Sequence, residues 1–530
     1  RRKSMATDVF AGVRLERSPV YGTKGMVVSG HSLASTAGLR TLDRGGSLID
    51  AMISTSATLS VVLQHATSLG GDAFFLYHDA AQKKTIGLNA TGHAPDGATP
   101  EYFKDGIPDR GPRAISVPGM VRGWERLHER YGKLPWQELF EDAIDAAEGH
   151  PASRVLTAGL DLFRDDVMAD PACRALYFDN AGNRMQAGDI LRQPILAETL
   201  RKIAAKKSLG FYEGDIAQSI GEYVNTNGGL LTADQFVGYE PEWVNPLSTD
   251  YRGHKVFVMP PNSYGMLMLL QLNGLSALSS DQIANNDTDR LNYLIRAMQG
   301  AFTIGQPHIS DPRMEDIPVD YLLGDEATQN LQECVLNGTD PATFDNTGGT
   351  SCIVIADGEG NAMSVVQSVF HVFGSAFMDP GTGILMNNRM TGFRIDPKDP
   401  RNVAPRKRPS HTLNPVMVLK EGKPKYLMTT PGGPGQTLSM VQVLTNLVDR
   451  GMELTTAIEY PRWSVGLDGS LMLEDGYAKD IAIELKRRGH EVKHGSGASY
   501  FGSAKTIEIL SNGVLVGAAD TRREASAAGR

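Results

Sequence analysis

Residues 343–352 read TFDNTGGTSC, and the chain continues through the apolar run CIVIAD (352–357), a turn, DGEGN, and NAMSVVQS (361–368). Two short apolar runs joined by a glycine turn form a hairpin pattern. A tight turn ahead of the first run accounts for Gly348 and Gly349 but not for Thr350. Its hydroxyl is either a loop group or a nucleophile. A threonine at a chain terminus carries its own base, because an α-amino group with a pKa of about 8 is partly neutral at neutral pH. That role requires the Gly349–Thr350 bond to be cut, and the glycine-flanked run ahead of it suits a cut.

Working outward, the segment 337–349 (NGTDPATFDNTGG) reads as loop and divides two kinds of sequence. After it come the strand-like runs PVMVLKEG, KPKYLMTT, SLMLED and AKTIEIL, with helices near Gln436–Arg450 and Asp480–Arg488. Before it the stretch 117–216 is mostly helical, and GHSLASTAGLRTLDRGGSLIDAMISTSATLSVV predicts two amphipathic helices split at Gly45-Gly46. SLGGDAFFLYHD and KTIGLNATGHAP predict a strand pair. Helices and strands come in runs rather than in βα alternation, so the fold class is layered α+β.

With 530 residues, 41% hydrophobic and 21% charged, the chain is long enough for one large core or several small ones. A net charge of −9 without a basic block argues against a nucleic-acid partner. No apolar run approaches the roughly 18–20 residues of a membrane span. Cys173, Cys334 and Cys352 are scattered, which argues against a disulfide framework and a structural zinc, so neither metal nor cofactor is expected. Arg1–Ser4 read as additions ahead of a native Met5; the basic start runs into no apolar segment, and a cytoplasmic location is expected.

A second glycine cluster, TTPGGPGQT (429–437), sits between a strand and a helix, where backbone N–H groups can hold an anion. It lacks the GK[ST] of a nucleotide loop, and the chain has neither GxSxG nor a helix-opening GxGxxG. His494 with Ser496-Gly497 is expected in a turn without chemistry, and Glu315-Asp316 in a solvated loop.

Taken together, HSLASTAGLRTLDRGGSLIDA, SLGGDAFFL, SVPGMVRGW, the block from Leu230 to Gly265, TSCIVIADGEGNAMSVVQSVFHVFGS, GTGILMNN, RKRPSHTLNPVMV, TTPGGPGQT, YPRWSV and GAADTRR resemble the gamma-glutamyltransferases. These belong to the N-terminal nucleophile hydrolases. The ordered likeness runs from Val20 to Arg523. It implies a four-layer αββα sandwich and a precursor that cuts itself between Gly349 and Thr350. The products would be a large piece (1–349) and a small piece (350–530), paired as a heterodimer that could dimerise further. It further implies Thr350 as nucleophile, Ser368 as its hydroxyl partner, and the N–H groups of Gly432 and Gly433 as oxyanion hole.

The substrate pocket departs from the family. Thr91 stands where an arginine grips the γ-glutamyl carboxylate, and His411 and Thr412 stand where two serines assist. Phe370 and Gly392 replace the amine-binding Asn and Asp, and Arg389 replaces a neutral glutamine. An ammonium there would meet a like charge. A carboxylate-bearing acyl group without an amine is the better match, since arginine grips carboxylates bidentately; an outward-facing Arg389 is the alternative placement. The resemblance therefore leans toward the oxamate amidohydrolase and acylase-like branch. The expectation is a threonine amidohydrolase acting on a small oxamate-like or glutaryl-like amide. The alternatives are a gamma-glutamyl hydrolase or transpeptidase acting on glutathione-like compounds, and a silent homologue with a binding role.

Overall fold

The computed structural model describes residues 17–338, 349–465, 470–495 and 501–530. Two seven-stranded antiparallel sheets stack face to face. One runs, in spatial order, Val20–Gly22, Leu515–Ala519, Lys505–Ile509, Lys423–Thr429, Val416–Lys420, His254–Val258 and Leu247–Tyr251. The other runs Ser526–Gly529, Gly25–Ser29, Gly349–Asp357, Ala362–Phe370, Asp72–Asp79, Lys84–Ala90 and Glu242–Val244. Between them Val28, Phe74, Val354 and Val366 of the second sheet pack on Met417, Leu427 and Ile507 of the first.

Helices cover both outer faces. Ser32–Asp43, Leu48–Val62 and Met120–Tyr131 lie on the second sheet; Gly265–Leu275, Asp287–Gly305 and Gly435–Val448 lie on the first. The order is therefore helix, sheet, sheet, helix, the four-layer α+β sandwich expected. Strands covered on both faces need apolar side chains on both, so CIVIAD is a continuous apolar run rather than an alternation. Each fully buried Leu, Ile or Phe of these layers contributes about 1.5–3 kcal/mol.

The helix pair divides at Gly45, whose φ of +87° ends the first helix as few other residues could. Ser47 then opens the second with a capping box to Asp50. The expectation of two amphipathic helices fails for this second one. All of Leu48–Val62 is buried, because it lies between the sheet and an outer helical layer. Three of its hydroxyls turn back onto the helix, Thr55 to the Ala51 carbonyl, Thr58 to that of Ser54 and Ser60 to that of Ser56, while Ser54 and Ser56 donate to Leu139 and Gln367.

Three smaller expectations change as well. Glu315 is not merely solvated, since it takes an ion pair at 2.6 Å from the buried Lys407. His494 lies in the strand Val492–Gly495, paired parallel with Leu471–Glu474, while Ser496-Gly497 fall outside the described residues. Of the loop 337–349, Asn337 ends a helix, Gly349 begins a strand, and 339–348 lie outside the described residues. All three cysteines are free. No helix of the described residues is long and apolar enough to cross a membrane.

Candidate active site

The strand Gly349–Asp357 pairs with Ala362–Phe370, with an irregularity in register between Gly349 and Ser351. That irregularity holds Thr350, which is 5% exposed. Its hydroxyl donates to Ser368 Oγ at 3.3 Å. The Ser368 hydroxyl donates in turn to the Gly349 carbonyl at 2.6 Å and accepts the Phe370 N–H at 2.7 Å. One serine thus joins the threonine hydroxyl to the carbonyl of the peptide bond in front of it.

Phe370 sits opposite Gly349 with φ of +84°, a left-handed conformation costly to any residue with a Cβ. Its ring supports the Arg389 guanidinium, whose carbon lies 4.2 Å from the ring centroid, a cation–π contact. Arg389 is wholly buried, which excludes the outward placement. Its Nε and both Nη atoms have no hydrogen-bond partner. The nearest opposite charge is Asp72 Oδ2, 3.8 Å from Nε. Burial lowers the Arg389 pKa to about 9, opposed by the Asp72 charge.

Asp72 is the residue that sequence reasoning missed. It opens the strand Asp72–Asp79 and is fully buried. Its Oδ1 accepts the N–H groups of Gly92 at 2.8 Å and Gly119 at 3.1 Å, and His411 Nε2 lies 3.1 Å from its Oδ2. The pocket therefore keeps a carboxylate, contrary to the expectation drawn from Gly392, but its oxygens are engaged by neighbouring loops. The signal was present: an aspartate in SLGGDAFFL at the first position of an apolar strand is a buried charge in need of a partner.

Burial and the Arg389 charge hold His411 at about 4. The neutral ring that donates from Nε2 to Asp72 leaves Nδ1 as an acceptor, and it has no partner. Thr412 Oγ1 is buried and likewise unpartnered. Thr91 is already engaged. Its hydroxyl donates to Asn89 Oδ1 at 2.6 Å and accepts Asn262 Nδ2 at 3.3 Å. At Gly392 a Cβ would come within 2.7 Å of the Ser410 carbonyl, so this backbone path leaves no room for a carboxylate side chain. His371 stacks on Phe370 with centroids 4.5 Å apart and pairs through Nδ1 with Asn388 at 2.8 Å. Burial and the charges of Arg110 and Arg389 lower its pKa to about 3.

Gly432 and Gly433 adopt φ of +131° and +55° in the turn between the strand Lys423–Thr429 and the helix Gly435–Val448. Among the described residues neither of their N–H groups donates a hydrogen bond, so both remain available near a helix N-terminus. The contacts run Thr350, Ser368, Phe370, Arg389, Asp72, His411; the glycine turn follows the strand Lys423–Thr429 of the facing sheet. Among the described residues no three His, Cys, Asp or Glu side chains are grouped to hold a metal ion.

The family described as Gamma-glutamyltranspeptidase matches residues 34–530 of the chain. The chain belongs to this family. It is 37% identical to the glutathione hydrolase-like YwrD proenzyme of Bacillus subtilis (strain 168), over 96% of this chain and 99% of that protein. It is 32% identical to the oxamate amidohydrolase proenzyme of Klebsiella pneumoniae, over 96% and 98%. The crystal structure of cephalosporin acylase from Bacillus halodurans superposes with a TM-score of 0.90 at 32% identity, covering 98% of each chain. Relatives in the gamma-glutamyltranspeptidase family are thus hydrolases and acylases of amide bonds, and those two sequence relatives are named as proenzymes.

Proposed function

We propose that this chain is a self-processing threonine amidohydrolase whose preferred acyl group carries a carboxylate and no amine. The observation that carries the reading is Arg389, a buried guanidinium with no hydrogen bond from any of its three nitrogens. A buried charge left unbonded costs several kcal/mol. A substrate carboxylate gripped bidentately would repay that cost, and a γ-glutamyl ammonium beside Arg389 would add to it.

Maturation follows from the hydrogen bonds at Thr350. As Thr350 Oγ attacks the Gly349 carbonyl carbon, its proton passes to Ser368 and the Ser368 proton to the carbonyl oxygen. The hydroxyl of this intermediate gives its proton to the Thr350 nitrogen as the C–N bond breaks, which leaves an ester on Oγ and a free Thr350 amine. Water hydrolyses the ester and releases the Gly349 carboxylate. In the mature protein the α-amine takes the Thr350 hydroxyl proton as Oγ adds to the substrate carbonyl. Gly432 and Gly433 hold the oxyanion. The leaving amine departs with the proton, and water then hydrolyses the acyl ester. Arg389, backed by the Phe370 ring, binds the acyl carboxylate, His411 and Thr412 offer it further polar contacts, and Thr91 forms part of the wall behind them.

The test is a panel of amides followed by mass spectrometry, together with a denaturing gel. Two bands and turnover of acidic acyl amides are expected, with γ-glutamyl anilides cleaved weakly. Thr350→Ala should remain one band and turn over nothing. Robust cleavage of γ-glutamyl anilides would instead support the glutathione hydrolase-like reading.

A further inference from the structure

Among the buried cations that the proposed mechanism does not use, Lys505 lies on a strand that packs against the strand of Thr350. Lys505 is 2% exposed and faces the space between the sheets, on the same side of its strand as Ile507. Its neighbour across the ladder is Thr429, whose hydroxyl adjoins the thiol of Cys352, two residues beyond Thr350. The ammonium does not turn away from this place. It donates to the Ser503 carbonyl at 2.8 Å and to Ser503 Oγ at 3.0 Å. The Ser503 N–H donates to Thr430 Oγ1 at 2.9 Å, and a Cβ on Gly432 would lie 3.7 Å from Gly502. Nζ therefore lies close to the chain around the glycine turn, and the strands Lys423–Thr429 and Lys505–Ile509 both pack against the strand Gly349–Asp357.

Among the described residues no carboxylate forms an ion pair with Lys505. Asp520 is the carboxylate that influences it, after the Cys352 thiol, and its oxygens are taken by Arg462, Arg522 and the Ala504 N–H. A cation buried without a bonded counter-charge projects its field further than a paired one. Burial lowers its pKa to about 8, so it still carries charge at neutral pH.

We propose that Lys505 is a positioning residue that acts through electrostatics: its charge lowers the pKa of the α-amine that Thr350 acquires on cutting. This keeps the amine neutral and ready to accept the hydroxyl proton. The inference rests on the reading of Thr350 as a cut N-terminus. Other charged and titratable groups face the same place. From the connection after the strand Leu515–Ala519 come Arg523, which with Lys505 influences Cys352, and Asp520, which pairs with Arg462. From the pocket side come Arg389, Asp72 and His411. Asp72 and Asp520 each have a cation beside them, so the surroundings of the amine are weighted toward positive charge, and Lys505 is the part of that weight without an ion-pair partner.

The experiment follows carbamylation of the Thr350 amine by cyanate against pH, read by mass spectrometry on the small fragment, which needs no substrate. The wild-type amine should titrate below the ordinary range of about 7.7–8.0. In Lys505→Met, which preserves length and apolar packing, the midpoint should rise by at least half a pH unit. Its kcat/KM acid limb should move upward by the same amount, about a threefold loss well below the midpoint. A wild-type amine in the ordinary range, or a Lys505→Met midpoint equal to that of wild type, overturns the proposal even if the enzyme is cut and active. A chain that is never cut overturns the reading of Thr350 and this proposal together. Lys505→Arg should keep the wild-type midpoint, which separates charge from shape.

Discussion

Arg389 and Arg462 are both fully buried guanidiniums, each beside an aspartate. Arg462 donates to the carbonyls of Phe501 at 2.7 Å and Ile458 at 2.5 Å and pairs with Asp520 at 2.6 Å. Arg389 makes no hydrogen bond through its side chain, and Asp72 stays 3.8 Å away. Equal burial with opposite satisfaction separates two uses of one residue type. The first guanidinium ties the start of the strand Trp463–Val465 to Phe501, Ile458 and Asp520, whereas the second keeps its hydrogen-bonding capacity open, as the proposed substrate carboxylate requires.

The comparison can be broken most directly at Arg462. Arg462→Ala should cost about 3–5 kcal/mol, because removing one partner leaves a buried charge uncompensated. The value should fall toward the low end, since Arg522 still reaches Asp520 at 3.2 Å. Chemical denaturation measures it, and a loss below about 1 kcal/mol would erase the distinction. Arg389→Gln should instead mature normally and lose about ten- to a hundredfold in kcat/KM on acidic acyl amides, from a charge-assisted pair worth roughly 1.5–3 kcal/mol. Matched primary-amide substrates should be spared. Equal losses on both substrates would make Arg389 structural, like Arg462.

Stability sharpens the contrast further. Arg389→Met removes a buried charge that makes no hydrogen bond, and Asp72 keeps the Gly92 and Gly119 N–H groups and His411, so the variant should unfold within about 1 kcal/mol of wild type, or later. The smallest effect concerns acid. His411 is held at about 4 against an unfolded value near 6.5, so the unfolded chain binds the extra proton and stability falls as pH drops from about 6.5 toward 4. Arg389 is one cause of that depression. Arg389→Gln should therefore raise the His411 pKa and lose less stability than wild type over that window, with no difference above pH 7. Melting curves across the range give the test.

Much of the site was legible because its residues depart from a pattern that the rest of the chain keeps. Phe370, Arg389 and Gly392 draw notice as exchanges of chemical type, and the structure brings the first two into contact. Asp72 escaped because SLGGDAFFLYHD reads only as a strand, and nothing local marks the partners of its opening aspartate, all three of which come from distant loops. The helix Leu48–Val62 misled for a local reason. Its serines and threonines counted as polar, yet several satisfy their hydroxyls on carbonyls four residues back, which makes them compatible with complete burial. The layered α+β class was readable because helices and strands come in separate runs, whereas the αββα order came from the family resemblance.

In the second sheet Gly25–Ser29, from before residue 349, lies between Gly349–Asp357 and Ser526–Gly529. The two halves of the sequence are braided rather than set side by side. A nick at residue 349 would remove one covalent link and leave every rung of both ladders in place, so the pieces could not drift apart without dismantling the sheet. Production of the two halves as separate genes is then a demanding exercise. Neither half holds a complete sheet, and each would have to wait, with open strand edges, for the other to arrive.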